Sequence, residues 1–266
     1  METRSFFTAG DGCKIAYRFD GPADKPVLLL SNSIATTLEM WDAQIAGLSR
    51  HFRVLRYDMR GHGQSGAPLG AYSLDRLGRD VVELLDGLDI AQVHFCGLSL
   101  GGMVGQWLGI HAANRLDRLI LCNTSAYLGP GDSFDTMIHS LARSDDMTAM
   151  AEMFMTNWFP PAMHAGQPEL IQRFRDGVLA TLPHGLAGNF AAVRDMDLRR
   201  TITLIERPTL VIAGQYDTVT LASHSEQIAA AIPGSRLLVL PAVHLSNVEF
   251  PAAFLDAVVT FLQPGS

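Results

Sequence analysis

The chain has 266 residues and a formal charge of −7, from 27 acidic and 20 basic side chains. That balance argues against a basic nucleic-acid surface, while an apolar content of 48% is enough for a sizeable buried core. No basic leader followed by an apolar run opens the sequence, no apolar stretch reaches about 18 residues, and Cys13, Cys96 and Cys122 are scattered; the expectation is a cytoplasmic, non-membrane protein with reduced thiols.

"CKIAYRF" reads as a strand of an opening hairpin, with Gly10-Asp11-Gly12 as its turn signal. "PVLLLS", residues 26–31, is a continuous apolar run of the kind found in a strand covered on both faces. Leu38, Trp41, Ile45 and Leu48 then recur at helical spacing, and "FRVLRYD", 52–58, is the next strand. Ser73 is placed to cap a helix whose apolar positions run from Leu74 to Leu88. Strand "VHFCG", a helix over 100–111 and strand "LDRLILCN", 116–123, follow. This alternation predicts an α/β fold: a mostly parallel sheet flanked by helices.

The pattern changes near Ser125. Residues 126–200 offer helical patterns in "FDTMIHSLARS", "MTAMAEMFMTNWF" and "PELIQRFRDGVLATL", and no strand. The sheet pattern resumes with "RPTLVIAG", 207–214, a helix over 223–232, strand "RLLVLP", 236–241, and a helix over 251–262. The expected organisation is a core of residues 1–125 and 201–266 interrupted by a helical cap, 126–200.

The chemistry begins at "VHFCGLSLGGMVGQWLGIH", where Ser99 stands between Gly97 and Gly101, with Gly102 following. A sharp strand-to-helix turn crowds its neighbours, and glycines relieve the clashes. The serine is then exposed at the C-terminal edge of the strands, where α/β ligands bind. A hydroxyl needs a base to act as a nucleophile, and the base needs an orienting acid. Asp217 follows the strand in "LVIAGQYDTV", and His244 follows the next in "LLVLPAVHLSN". Ser99, Asp217 and His244 are therefore the candidate catalytic set. An oxyanion requires backbone N–H donors. Leu100 supplies one, and Ile34, in the loop "NSIATTLEMW", is the expected second, with Ser33 as the alternative. His62 in "RGHGQS" reads as part of a structural loop, and Asp58 as a loop anchor. No metal-ligand spacing and no phosphate-binding glycine motif occur, so neither a metal nor a cofactor is expected.

Through "SNSIATTLEMWD", "FRVLRYDMRGHGQSGAP", "CGLSLGGMVGQWLG", "LVIAGQYDTVT" and "LPAVHLSNVEFP", the sequence resembles the α/β-hydrolase superfamily over almost its whole length. "LSNS…MW", "FCGLSLGG" and "HLSNVE" are most similar to 3-oxoadipate enol-lactonases. The resemblance implies a cofactor-free serine hydrolase acting on a small enol-lactone in aromatic catabolism, with Ser99 as nucleophile, Asp217 as acid and His244 as base. In that family the first cap helix carries a tryptophan and an arginine near the substrate acid group; here Phe134 and Met137 stand there. Phe134, Met137 and Trp158 are the candidate pocket residues. A neutral short-chain or aryl ester is the alternative substrate, and Arg143, Arg173 and Arg194 are the cations to examine for an anionic one. Perhydrolase chemistry, carbon–carbon bond hydrolysis and non-catalytic ligand reception use the same scaffold.

Overall fold

The computed structural model describes residues 4–143 and 145–263. Its elements are β1 (Ser5–Thr8), β2 (Lys14–Asp20), β3 (Val27–Ser31), α1 (Asp42–Leu48), β4 (Arg53–Tyr57), α2 (Leu74–Gly87), β5 (Val93–Leu98), α3 (Leu100–His111) and β6 (Leu116–Cys122). Five helices follow: α4 (Asp132–Leu141), α5 (Thr148–Trp158), α6 (Pro161–Gly166), α7 (Pro168–Leu179) and α8 (Pro183–Asp195). The chain ends with β7 (Thr209–Gly214), α9 (Ala222–Ala231), β8 (Arg236–Leu240), α10 (Ser246–Glu249) and α11 (Pro251–Leu262).

The strands form one sheet in the order β1-β2-β4-β3-β5-β6-β7-β8. β1 pairs antiparallel with β2 and β2 with β4; every other pairing is parallel. The runs without polar interruption form the middle of the sheet. β5 and β7 are buried at every position, because helices cover both faces of a parallel sheet. The edges differ: β1 and β8 leave most of their residues partly or fully exposed. α1 packs against α11, α2 against α3, and α9 against β7 and β8. Among the described residues no helix is long and apolar enough to cross a membrane.

Register places the functional edge. Ser31 lies beside Gly97, Gly97 beside Leu121, Leu121 beside Val211 and Val211 beside Leu237. The C-terminal ends of β3, β5, β6, β7 and β8 therefore come out along one rim. The loops leaving that rim are those that carry Ser33 and Ile34, Ser99, Asn123, Asp217 and His244.

Two differences from the sequence reading have local causes. The apolar run through Leu38 and Trp41 is not a single helix: a 3₁₀ turn, Leu38–Trp41, precedes α1. Leu38 donates its N–H to Asp58 Oδ1 at 2.8 Å and accepts from Arg56 Nη1 at 3.0 Å, so both of its backbone groups are held by buried charges. The second difference lies between β6 and β7. The three expected helical patterns appear as α4, α5 and α7, and α6 and α8 join them. The pattern "FDTMIHSLARS" runs to Ser144, which lies outside the described residues.

Candidate active site

β5 is made of buried residues and runs directly into α3 through Ser99, which adopts φ +58° and ψ −117°. This is a backbone region that residues with a Cβ rarely occupy, so the neighbours must hold it in place. Ser99 N–H donates to the Cys122 carbonyl at 2.9 Å, and its own carbonyl accepts from Met103 N at 3.0 Å and Thr124 Oγ1 at 2.8 Å. The glycines follow from close packing. A Cβ on Gly97 would collide with the Gly101 carbonyl, and one on Gly101 with the carbonyl of Ser31. Gly101 N–H donates instead to the Asn32 carbonyl at 3.0 Å, which seats the start of α3 against the end of β3.

Asp217 sits past β7 and His244 past β8, both almost fully buried. His244 Nδ1 is 2.8 Å from Asp217 Oδ2. The same oxygen accepts from Thr220 Oγ1 at 2.7 Å and Asn123 Nδ2 at 3.0 Å, while Oδ1 accepts from the N–H groups of Val219 (2.8 Å) and Thr220 (3.0 Å). Burial by itself would raise the Asp217 carboxyl. The neighbouring His244 charge and the hydrogen bonds from His244, Asn123 and Thr220 outweigh it and hold the pKa down at about 2. An ionised carboxylate only accepts, so the shared hydrogen sits on His244 Nδ1, and in the neutral ring the lone pair is on Nε2.

Asn123, at φ +41°, joins the loops of this rim. Its amide nitrogen also reaches the Val243 carbonyl at 3.2 Å, and its oxygen accepts from Ser246 Oγ at 2.6 Å. One residue thus holds Asp217 and both flanks of His244, while the next, Thr124, holds Ser99. Nothing in the sequence singles out Asn123 beyond its position at the end of the strand "LDRLILCN". Thr220, three residues past Asp217, is the other contact that sequence reasoning missed.

The structure brings Asp217 and His244 into direct contact and ties Ser99 to them through adjacent residues of β6's exit loop. Leu100 opens α3, so its N–H has no acceptor within the helix. Ile34 and Ser33 are buried in the loop after β3. Asp58 accepts from the N–H groups of Leu38 (2.8 Å) and Gln64 (3.0 Å), joining that loop to the one after β4.

Phe134 and Met137 lie on α4, half-buried, and Trp158 is buried at the end of α5. The Phe134 ring centroid is 6.1 Å from that of Phe190 on α8, Phe190 is 6.3 Å from Phe154, and Phe154 is 4.7 Å from Trp158. Arg194 is engaged by Asp135 (2.7 Å) and Asp195 (2.7 Å), and Arg143 is exposed just past α4. Arg173, on α7, lines a cleft of about 710 Å³ whose opposite wall is the segment from Ala35 to Ala43. Among the described residues, Ser99, Asp217 and His244 do not line this cleft; it reaches the rim at Ala35 and Thr36. No group of three His, Cys, Asp or Glu side chains among the described residues is arranged to hold a metal ion.

With this geometry in hand, known proteins supply a context. The profile of the alpha/beta hydrolase fold family matches residues 26–251. 3-oxoadipate enol-lactonase 2 of Acinetobacter baylyi is 40% identical, over 93% of this chain and 92% of its own. A hydrolase from Pseudomonas aeruginosa PA01 superposes with a TM-score of 0.97 at 59% identity, covering 100% of this chain and 99% of that one. The enol-lactonase from Burkholderia xenovorans LB400 superposes with a TM-score of 0.94 at 39% identity, covering 97% and 99%.

Proposed function

The chain belongs to the α/β-hydrolase family, and from that premise we propose that it is a serine hydrolase that opens a small enol-lactone, 3-oxoadipate enol-lactone in the first instance, through an acyl-enzyme. Ser99 is the nucleophile, His244 the base and Asp217 its orienting acid. The observation that carries this reading is the 2.8 Å contact between His244 and an ionised Asp217, on the same rim as a serine held at φ +58°. The relationship to enol-lactonases supplies the substrate class. Residues 126–200 act as the cap over a core of residues 1–125 and 201–266.

In the first half-reaction, His244 Nε2 takes the Ser99 Oγ proton as Oγ bonds to the lactone carbonyl carbon. The carbonyl oxygen becomes an oxyanion that the N–H groups of Ile34 and Leu100 receive. When the tetrahedral intermediate collapses, the ring C–O bond breaks. The departing enolate takes the proton from His244 and becomes the ketone on tautomerisation. Asp217 stabilises the imidazolium between these transfers. In the second half-reaction, His244 removes a proton from water, hydroxide adds to the acyl carbon, and Ser99 Oγ leaves with the proton returned. One water is consumed, and the lactone becomes an open-chain acid.

A carboxylate on the substrate requires a cation, and Arg173 on the cleft wall is the one this reading assigns. Phe134 and Met137 favour a second reading, neutral short-chain or aryl esters, because they put apolar surface in the first helix of the insertion, where Arg194 is already engaged by two acids. Measuring kcat/KM for the enol-lactone beside p-nitrophenyl acetate separates the two. Preference for the lactone is expected, and preference for the aryl ester would establish the second reading. Ser99→Ala should lower either activity by about 10⁶-fold; near-normal turnover by that variant would exclude Ser99 as the nucleophile.

A further inference from the structure

The loop after β4, "RGHGQS", contains a buried histidine that the mechanism above does not use. His62 Nε2 accepts the N–H of Ala35 at 2.7 Å, and Nδ1 lies 3.3 Å from the Arg60 carbonyl. Because a backbone N–H can only donate, Nε2 presents its lone pair and Nδ1 carries the proton. A neutral ring in one tautomer thus joins two backbone groups of opposite polarity. Burial pushes the His62 imidazole down to about 4, which keeps it in that neutral form.

Both ends of this bridge are fixed. The Arg60 carbonyl also accepts from Asn189 Nδ2 on α8 at 2.9 Å. The Arg60 side chain is gripped by Asp80 through two contacts of 2.5 and 2.6 Å, and by Asp11 at 2.8 Å. At the other end, Ala35 adopts φ +59°, unfavourable for a residue with a Cβ, so this turn of the chain needs an external anchor. Ala35 directly follows Ile34, the second oxyanion donor in the reading above.

We propose that His62 is a positioning residue for acyl transfer: by accepting the Ala35 N–H it fixes the loop after β3, and so the direction of the Ile34 N–H that receives the oxyanion. It exchanges no proton during turnover. The inference rests on the reading of Ser99 as nucleophile, and it explains why a histidine occupies a site remote from proton transfer.

The test compares His62→Leu, which removes the acceptor, with His62→Gln, whose amide offers one acceptor and one donor. Both are assayed on p-nitrophenyl acetate beside wild type and Ser99→Ala. His62→Leu should lower kcat about 10- to 100-fold, with KM changed by less than about threefold, because a displaced oxyanion donor costs the transition state more than the bound substrate. His62→Gln should recover most of that loss. An unchanged kcat in His62→Leu, a change confined to KM, or a folded His62→Gln no better than His62→Leu would each overturn the assignment. Independently of any variant's folding, long-range ¹⁵N–¹H spectra of the wild type at pH 7 should show His62 as the Nδ1–H tautomer; an Nε2–H tautomer or a charged ring would also overturn it. Ser99→Ala separates the two layers: if it stays active, the nucleophile reading falls, whereas if it is inactive and His62→Leu turns over normally, only the positioning role falls.

Discussion

At the strand-end rim a single carboxylate, Asp217, accepts five hydrogen bonds, whereas in the helical insertion the contacts around Trp158 are ring against ring. Of the four non-glycine residues at positive φ among the described residues, Ala35, Ser99 and Asn123 belong to the rim and none to the insertion. The rim is specified by directional bonds whose donors and acceptors have fixed places. The insertion is specified by volume and apolar contact, which many side-chain combinations satisfy. On the proposed reading, chemistry and choice of substrate fall to parts of the molecule with different tolerance for change.

The largest effect that would test this contrast is expected at Asp217. Replacing it with Asn keeps the volume but lets the wrong imidazole tautomer form, and kcat/KM for the ester or lactone should fall about 10⁴-fold. A loss below tenfold would mean that the rim does not set the state of His244. Next comes Gly101→Ala, whose added methyl has nowhere to go but into the Ser31 carbonyl. Urea titration should show a loss of about 3 kcal/mol, against well under 1 kcal/mol for alanine at Gly166, where an added Cβ would meet nothing within 4 Å beyond its own helix and chain neighbours.

The third prediction concerns pH. His62 has its pKa lowered to about 4 from an ordinary 6.5, so the unfolded chain binds the proton more readily than the native one. Its contribution to stability is complete above pH 6.5 and is lost as pH falls toward 4. Between pH 7.5 and 4.5 this amounts to about 2 kcal/mol. Wild type should lose that much more stability than His62→Gln across the same interval, and parallel curves for the two proteins would show that the ring is not held neutral. The smallest effect is expected in the insertion. Phe134→Ala removes one ring contact with Phe190, worth about 1 kcal/mol. KM should rise about threefold with kcat nearly constant, and a collapse of kcat would contradict the division between the two regions.

The same contrast governs what could be read from the residues alone. Buried parallel strands appear as uninterrupted apolar runs, so "PVLLLS", "VHFCG" and "RPTLVIAG" declared themselves, and the loops after them delivered Ile34, Ser99 and Asp217 as candidates, while His244 follows the more exposed edge strand "RLLVLP". α8 gave no such signal. It is buried on nearly every side, including Gly185, Gly188 and Asn189, so the alternation that marks a half-exposed helix is missing. A proline opens α6, α7, α8 and α11 alike, and this was the available cue for the two helices not anticipated. Asn123 and the bridge made by His62 were illegible for another reason: each is defined by partners far away in sequence, Asp217 and Ala35, and no local pattern encodes such a pairing.

The insertion is not attached evenly. α8 is stitched to the core through Asn189 to the Arg60 carbonyl, His184 to the Ala67 carbonyl at 3.0 Å, and Tyr72 N–H to the Gly188 carbonyl at 3.0 Å. α4 packs chiefly on α8, and α5 on α7. The cleft wall formed by α7 therefore belongs to the pair of helices without these stitches. On the proposed reading, substitutions at Leu170, Arg173 or Phe174 remodel the cleft while Ser99, Asp217 and His244, which do not line it, keep their alignment. Under that reading, a lineage of such proteins would reach new substrates by redecorating one wall, with the machinery inherited unchanged.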